Sequence, residues 1–170
     1  AFLGGGLVAF GCLLSTPIAQ HDHHGSSDMQ TVSVVTKIEG VGTSGAWVRL
    51  NTMAGRPSAG YFVLENNTGR MLTLSGVRMP ASLASTARAM LHQTTEVDGR
   101  MRMSHVNDVP VEDGASATFA PGGFHIMLHD LPAGLEVGGT LDLILMVTAG
   151  GEQHLQVPFK LCGLASIAGC

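Results

Sequence analysis

Two histidines and two methionines supply side chains of the types that bind a soft metal ion. Ten residues separate His92 from Met103, twenty-one separate Met103 from His125, and one separates His125 from Met127. Thioether sulfur prefers Cu(I), imidazole binds copper in either oxidation state, and the set contains no carboxylate for a hard cation. Structural zinc sites instead draw on Cys thiolates and His. These four residues are therefore candidate ligands of one Cu(I) ion.

A β-hairpin around Asp98-Gly99 would bring the first two candidates together. An Asp-Gly pair between alternating runs is a strong signal for a two-residue hairpin loop. In that register Thr94 lies opposite Met103, and His92 lies opposite His105. His92 and Met103 are then diagonal neighbours on one face, close enough for two long side chains to hold one ion.

The second pair of candidates, His125 and Met127, is predicted to share one face of another strand. Residues two apart on a strand point to the same side of the sheet. His129 is expected to lie past the end of this strand. Met101 and His105 project to the ligand-bearing face of the hairpin, so they are additional candidate metal ligands.

Short apolar or alternating runs, separated by Gly, Pro, Asn and Asp, predict the strands that position these residues. No long amphipathic helical pattern is present. The sequence therefore predicts an all-β antiparallel sandwich or barrel. The predicted strands are 31–38, 45–50, 59–65, 71–78, 87–94, 100–106, 116–120, 125–128, 140–147 and 154–160.

The chain begins with an uncharged, apolar segment, AFLGGGLVAFGCLL, followed by small residues. This pattern resembles the later part of a secretory signal. We expect residues 1–19 to be a truncated signal peptide cleaved after Ala19, or an uncleaved membrane anchor. A lipid on Cys12 is disfavoured because no Leu stands three residues before it. The rest of the chain is expected outside the cytoplasm, with membrane contact only through an uncleaved anchor.

A short His-rich linker, residues 20–31, is expected to follow the signal segment. His21, His23 and His24 could bind a metal ion, or they could belong to a flexible solvated leader. The folded domain is predicted over residues 32–160. A chain of 170 residues fits one ordinary domain with short extensions.

Cys162 and Cys170 lie in the expected C-terminal tail, residues 161–170. In an oxidising compartment these two thiols can pair and close a small loop. The alternative is a thiol metal site or a redox pair, which their spacing supports less well because it is not C-x-x-C.

Charge and motifs exclude several function classes. The 9 Lys and Arg against 13 Asp and Glu give a formal charge of −4, and no basic patch for nucleic acid is visible. Neither a G-x-S-x-G elbow nor an H-E-x-x-H helix is present, which argues against a hydrolase. The segment from His125 to Met127 has no Cys, which argues against a blue-copper redox site. We therefore expect a binding protein and not an enzyme.

The four-residue spacing and two flanking segments resemble the periplasmic copper(I) chaperone family known as PCuAC. AGYFVLENNTG is similar to the family's Tyr-containing strand that ends in an Asn turn, and PGGFHIMLHDL is similar to its Pro-Gly-Gly segment with the second His and Met. The resemblance covers roughly Gly45 to Lys160. It implies a cupredoxin-like β-sandwich with a Cu(I) site formed by His92, Met103, His125 and Met127.

The resemblance also implies a location and a partner. It indicates a periplasmic chaperone that delivers copper to the copper centre of a respiratory oxidase, through an oxidase subunit or another copper chaperone. By analogy with the family's Met- and His-rich tail, His21, His23 and His24 would form an accessory Cu(II) site. Copper storage or resistance, and a secreted β-sandwich interaction module without metal, are the alternatives.

Overall fold

Eleven β-strands form the part of the chain that the computed structural model describes, residues 33–53 and 55–170. Helices are absent from these residues, so none of them belongs to a helix that could cross a membrane. The strands are β1 (Val34–Val35), β2 (Val41–Arg49), β3 (Ser58–Asn66), β4 (Leu72–Arg78), β5 (Arg88–Val97), β6 (Arg100–His105), β7 (Val109–Val111), β8 (Ser116–Phe119), β9 (Phe124–His129), β10 (Thr140–Thr148) and β11 (Glu152–Cys162).

The predicted strands agree with the structure except near the N-terminus and at β7. The predicted strand 31–38 is wrong for most of its described length, because only Val34–Val35 form a strand, in parallel with β11, and Ile38 makes an isolated bridge to Val41. Strand β7 is absent from the predicted strands, and it carries Pro110 at its centre. Proline is tolerated there because β7 is the edge strand of the sheet, beside β4. Proline lacks a backbone N–H, and on the side of β7 without a neighbouring strand this loss breaks no hydrogen bond of the sheet.

The strands form one mixed sheet in the order β6-β5-β9-β8-β3-β2-β11-β10-β4-β7, with β1 beside β11 and a further pairing of β9 with β3. The all-β class is confirmed. The sheet is mainly antiparallel but mixed, because β11 pairs in parallel with β1 and β2, and β8 pairs in parallel with β9. Strands β1 and β2 are distant in sequence from β11, so no hairpin turn in the sequence predicts their pairing. Strands β8 and β9 are consecutive and pair in parallel at Phe119 and Phe124.

The sheet encloses one main apolar core. Leu91 on β5 and Ile126 and Leu128 on β9 are buried in it, together with Leu143 of β10 and Phe159 of β11. Burial of each such side chain contributes about 1.5–3 kcal/mol to folding. Because strand residues alternate between faces, the residues between these core positions on β5 and β9 point to the outer face.

The β5–β6 hairpin has the predicted register. Asp98 and Gly99 have positive φ angles of 52° and 73°, which a type I′ turn requires at both central positions. His92 lies opposite His105 and Thr94 lies opposite Met103, which confirms the predicted pairing. The turn thus determines which side chains of β5 and β6 can meet.

Candidate metal centre

Three histidines lie side by side across three neighbouring strands on the outer face. His92 on β5 pairs with His105 on β6 and with His125 on β9. The His92 ring centroid lies 5.6 Å from that of His105 and 5.9 Å from that of His125. His92 therefore stands between two other imidazoles, either of which is near enough to share an ion with it.

A pocket of about 160 Å³ next to this row brings together three of the four predicted ligands, Met103, His125 and Met127. Met127 pairs with Met90 on one side and with Ala59 on the other. The residues that line the pocket are Arg49, Pro57, Ser58, Ala59, Tyr61, Thr94, Met103, Gly122, His125 and Met127. His92 does not line the pocket but is the direct strand partner of His125.

The His92 imidazole is suited to bind a metal ion. Its Nδ1 atom is buried and has no hydrogen-bond partner among the described residues. Burial lowers the pKa of His92 from its ordinary value of 6.5, and the positive charges that His125, His105 and His129 can carry lower it further. The neutral ring is therefore favoured, and neutral imidazole is the form that coordinates metals.

A backbone hydrogen bond orients the His125 ring. Its Nδ1–H donates to the carbonyl oxygen of Gly123 at 3.0 Å, so Nε2 carries the free lone pair. The Gly123 carbonyl also accepts from the backbone N–H of Thr94 at 3.0 Å. The turn before β9 thus sets the ring orientation and ties it to β5.

The methionines differ in their access to solvent. The side chain of Met103 is 53% exposed and that of Met127 is partly buried, whereas His125 is only 5% exposed. Met101 is 61% exposed, pairs with Glu96 and does not line the pocket. The pocket therefore opens to solvent on the β6 side and is closed on the β9 side.

Arg49 and Tyr61 belong to the pocket wall and were missed in the sequence. An Arg49 Nη2–H donates to the Tyr61 hydroxyl, and the guanidinium lies 5.4 Å from the centroid of the Tyr61 ring. Trp47 also packs against Tyr61, with the two ring centroids 4.7 Å apart. The alternation in GAWVRL and AGYFVLE could have placed these residues on the outer face. A fixed positive charge here repels a divalent ion more than a monovalent one.

The remaining predicted residues fall in different places. His129 ends β9, opposite Arg88, so the expectation that it lies past the strand is wrong. Cys162 and Cys170 are joined by a disulfide bond. His21, His23, His24 and Cys12 lie outside the described residues.

In residues 33–53 and 55–170, no three His, Cys, Asp or Glu side chains are grouped so as to hold a metal ion. The arrangement of His92, His125 and the two pocket methionines therefore depends on thioether donors. Such a mixed set of imidazole and thioether favours Cu(I) over zinc.

Solved structures similar to this one include PCuAC domains. The apo PmoF2 PCuAC domain has a TM-score of 0.59 and 17% identity, covering 77% of this chain and 96% of that one. The solution structure of apo-DR1885 from Deinococcus radiodurans has a TM-score of 0.55 and 25% identity, covering 99% and 100%. CuI-DR1885, whose name states that it carries Cu(I), has a TM-score of 0.50 and 26% identity over 72% and 78%.

Sequence comparison identifies the family. Residues 41–159 match the family described as "Putative lipoprotein LpqE-like". "Putative lipoprotein Lxx21020" of Leifsonia xyli subsp. xyli is 32% identical over 125 residues, which cover 72% of this chain and 70% of the relative. The chain therefore belongs to the LpqE-like lipoprotein family and has the cupredoxin-like β-sandwich fold of the PCuAC domains.

Proposed function

We propose that this protein is a copper carrier that binds one Cu(I) ion on the outer face of the sandwich. The ligands are His92, Met103, His125 and Met127. The observation that carries the proposal is the shared pocket of Met103, His125 and Met127. Beside it lies His92, whose Nδ1 has no hydrogen-bond partner among the described residues. The Cu(I) form of DR1885, a protein of the same fold with 26% identity, adds support.

The donor set suits transfer of the ion. Four neutral ligands leave the complex with the single charge of Cu(I), so ligands can be replaced one at a time without reprotonating a thiolate. Exposure of Met103 gives an acceptor protein a first point of attack on the ion. This argument favours delivery over storage or resistance, and it assigns the protein no catalytic step.

The acceptor that we propose is the copper centre of a respiratory oxidase, reached through an oxidase subunit or a further copper chaperone. The protein would act in the periplasm.

The family is described as a putative lipoprotein, so attachment of a lipid to Cys12 is an alternative to cleavage after Ala19. Cys162 and Cys170 are not available for a lipid, because a disulfide bond joins them to each other. The mass of the mature protein distinguishes a chain that begins at Gln20 from one that carries lipid on Cys12.

Replacement of each ligand methionine by leucine tests the site. Met103→Leu and Met127→Leu keep approximate side-chain volume and remove the sulfur. We expect Cu(I) affinity, measured anaerobically by competition with a chromogenic chelator, to fall at least tenfold. The free energy of unfolding should change by less than about 1.5 kcal/mol. X-ray absorption should show the loss of one sulfur ligand.

Met101→Leu is the matched control, because Met101 lies on the same strand face but outside the pocket. It should leave affinity unchanged. If Met101→Leu is damaging and Met103→Leu is silent, the ligand assignment is wrong. If neither Met101→Leu nor Met103→Leu lowers Cu(I) affinity, a secreted interaction module without metal is the better interpretation.

The His-rich leader is proposed as a separate, weaker Cu(II) site formed by His21, His23 and His24. Imidazole and backbone amide donors suit the harder oxidised ion. Deletion of residues 20–27 should abolish Cu(II) uptake and leave Cu(I) uptake intact. Equal loss of both would show that the leader belongs to the main site.

A further inference from the structure

The row of three histidines offers two alternative metal-binding pairs. Metal–nitrogen distances of about 2.0–2.1 Å place the ring centroids of two imidazoles on one ion roughly 5–6.5 Å apart. His92 meets this requirement with His105, at 5.6 Å, and with His125, at 5.9 Å. Neighbouring strands lie about 4.7–4.9 Å apart, so His105 and His125 stand two strand spacings from each other, whereas His92 stands one spacing from each. His92 is the shared member of both pairs.

The two pairs differ in depth. His105 is exposed and lies on β6, the strand that ends the sheet. His125 is buried, with 5% of its surface exposed. Met103 shares the outer face of β6 with His105 and is 53% exposed. A metal ion that arrives from solvent therefore reaches His105 before it reaches His125.

The His92 ring is not held toward either neighbour by a hydrogen bond at Nδ1, because that buried atom has no partner among the described residues. His125, in contrast, is oriented by its bond to Gly123. The His92 ring can therefore coordinate a copper ion together with His105, which is exposed, or together with His125, which is buried. The inner partner is fixed in place.

We propose that His92 and His105 form an outer copper position through which Cu(I) enters and leaves the inner site. This inference rests on the proposed function. The ion first binds His105 and His92, with Met103 beside them. The bond from copper to His105 then breaks as a bond to His125 forms, while His92 stays bound. Copper remains Cu(I), both exchanging rings are neutral, and no proton or electron is transferred.

Transfer kinetics test the relay in the full-length protein. Stopped-flow transfer of Cu(I) from the loaded protein to a chromogenic Cu(I) chelator should be at least tenfold slower in His105→Gln than in the wild type. His129→Gln is the matched control, because His129 lies on the same outer face at the end of β9. It should transfer copper at the wild-type rate. Wild-type kinetics in His105→Gln would overturn the relay, as would a loss of equilibrium affinity as large as that of His92→Gln, which would make His105 a resident ligand.

The outer position should also be visible without the inner one. The double variant His125→Gln/Met127→Leu is expected to bind one Cu(I) at least tenfold more weakly, with shifts of the His92 and His105 ring signals in NMR spectra. Addition of His105→Gln should abolish this binding, and addition of His129→Gln should not. Persistence of binding without His105 would contradict the proposal. Failure of the proposed function is distinct, because the wild type itself would then bind no Cu(I).

Discussion

At the scale of single residues, the protein keeps one imidazole neutral by surrounding it with others. His92 is partly buried, and His125, His105 and His129 can all carry positive charge near it. Protonation of His92 is therefore opposed by desolvation and by repulsion. A metal ion needs the unprotonated ring, so this environment prepares the residue for binding.

The lowered pKa of His92 predicts a pH dependence of stability. The folded-state pKa lies below the ordinary 6.5, so the unfolded chain binds more protons at this residue once the pH falls through 6.5. The stability that the neutral His92 ring contributes is fully present above pH 6.5, and it is lost as the pH falls from 6.5 toward the folded-state pKa. Urea unfolding of the metal-free protein at pH 7.5 and pH 5 should show a larger loss in the wild type than in His92→Gln. An equal loss would contradict the assignment.

Asn66 is a buried residue whose amide joins the turn after β3 to strand β7. Its Nδ2 donates to the carbonyl oxygens of Arg70 at 2.7 Å and Val111 at 2.8 Å, and its Oδ1 accepts from the backbone N–H of Thr68 at 3.1 Å. Asn66→Asp keeps the shape but places an acceptor against two carbonyl oxygens. We expect a loss of about 3 kcal/mol or more in the free energy of unfolding at pH 7. Asn67→Asp, at an exposed neighbour, should cost less than about 0.5 kcal/mol. Similar costs for both variants would show that the hydrogen bonds of Asn66 are not what matters.

At the scale of elements, the β5–β6 hairpin presents two of the four proposed ligands. Every residue of β6 is exposed, so this strand depends on its turn and on pairing with β5 for its position. His92 and Met103 keep their diagonal relation only while that register holds.

Gly99→Ala should weaken the hairpin through the backbone alone. Gly99 has φ of 73°, and a Cβ there would meet nothing within 4 Å. A left-handed conformation costs an L-residue roughly 1–2 kcal/mol, so chemical denaturation should show a loss of about that size, and Cu(I) affinity should fall with it. Gly151→Ala is the control, because that position is also open but has an ordinary φ. It should be neutral or slightly stabilising. Equal costs would contradict the turn assignment.

At the scale of the whole molecule, the outer face carries a second, smaller apolar cluster beside the pocket. It consists of Trp47, Tyr61 and Cys162, with Ala59 packed against it. The disulfide from Cys162 to Cys170 ties the last residues of the chain to β11, and the backbone carbonyl of Cys170 accepts from Lys160 Nζ at 2.8 Å. The C-terminal segment therefore lies next to the wall of the pocket proposed to bind copper, and none of its residues lines that pocket.

Removal of this disulfide should lower stability and spare the metal site. The sequence separation of 8 residues corresponds to about 2.5 kcal/mol in the loop-entropy description of cross-links. Cys162→Ala/Cys170→Ala should lose about that much in urea unfolding. Cu(I) affinity should stay within about threefold of the wild type, because neither cysteine lines the pocket. Loss of copper binding would show that the second cluster supports the site directly.

The sequence by itself determined the features that depend on local chemistry. Period-two alternation defined which side chains share a face. Asp98-Gly99 defined the register of β5 against β6, because a two-residue loop allows only one pairing of the two strands. Residue types alone also indicated a soft metal, since thioether and imidazole have intrinsic preferences. These rules do not require knowledge of the rest of the fold.

The tertiary structure decided which distant strands meet. Pairing of β9 with β5 places His125 against His92, and pairing of β9 with β3 places Met127 beside Ala59, near Tyr61 and Arg49 of the pocket wall. Alternation assigns a residue to a face but says nothing about its neighbour on that face. The neighbour depends on the packing of the entire sheet around its core, including parallel pairs that no turn signals. For the same reason the place of His92 between two histidines is a property of the fold and not of the spacing.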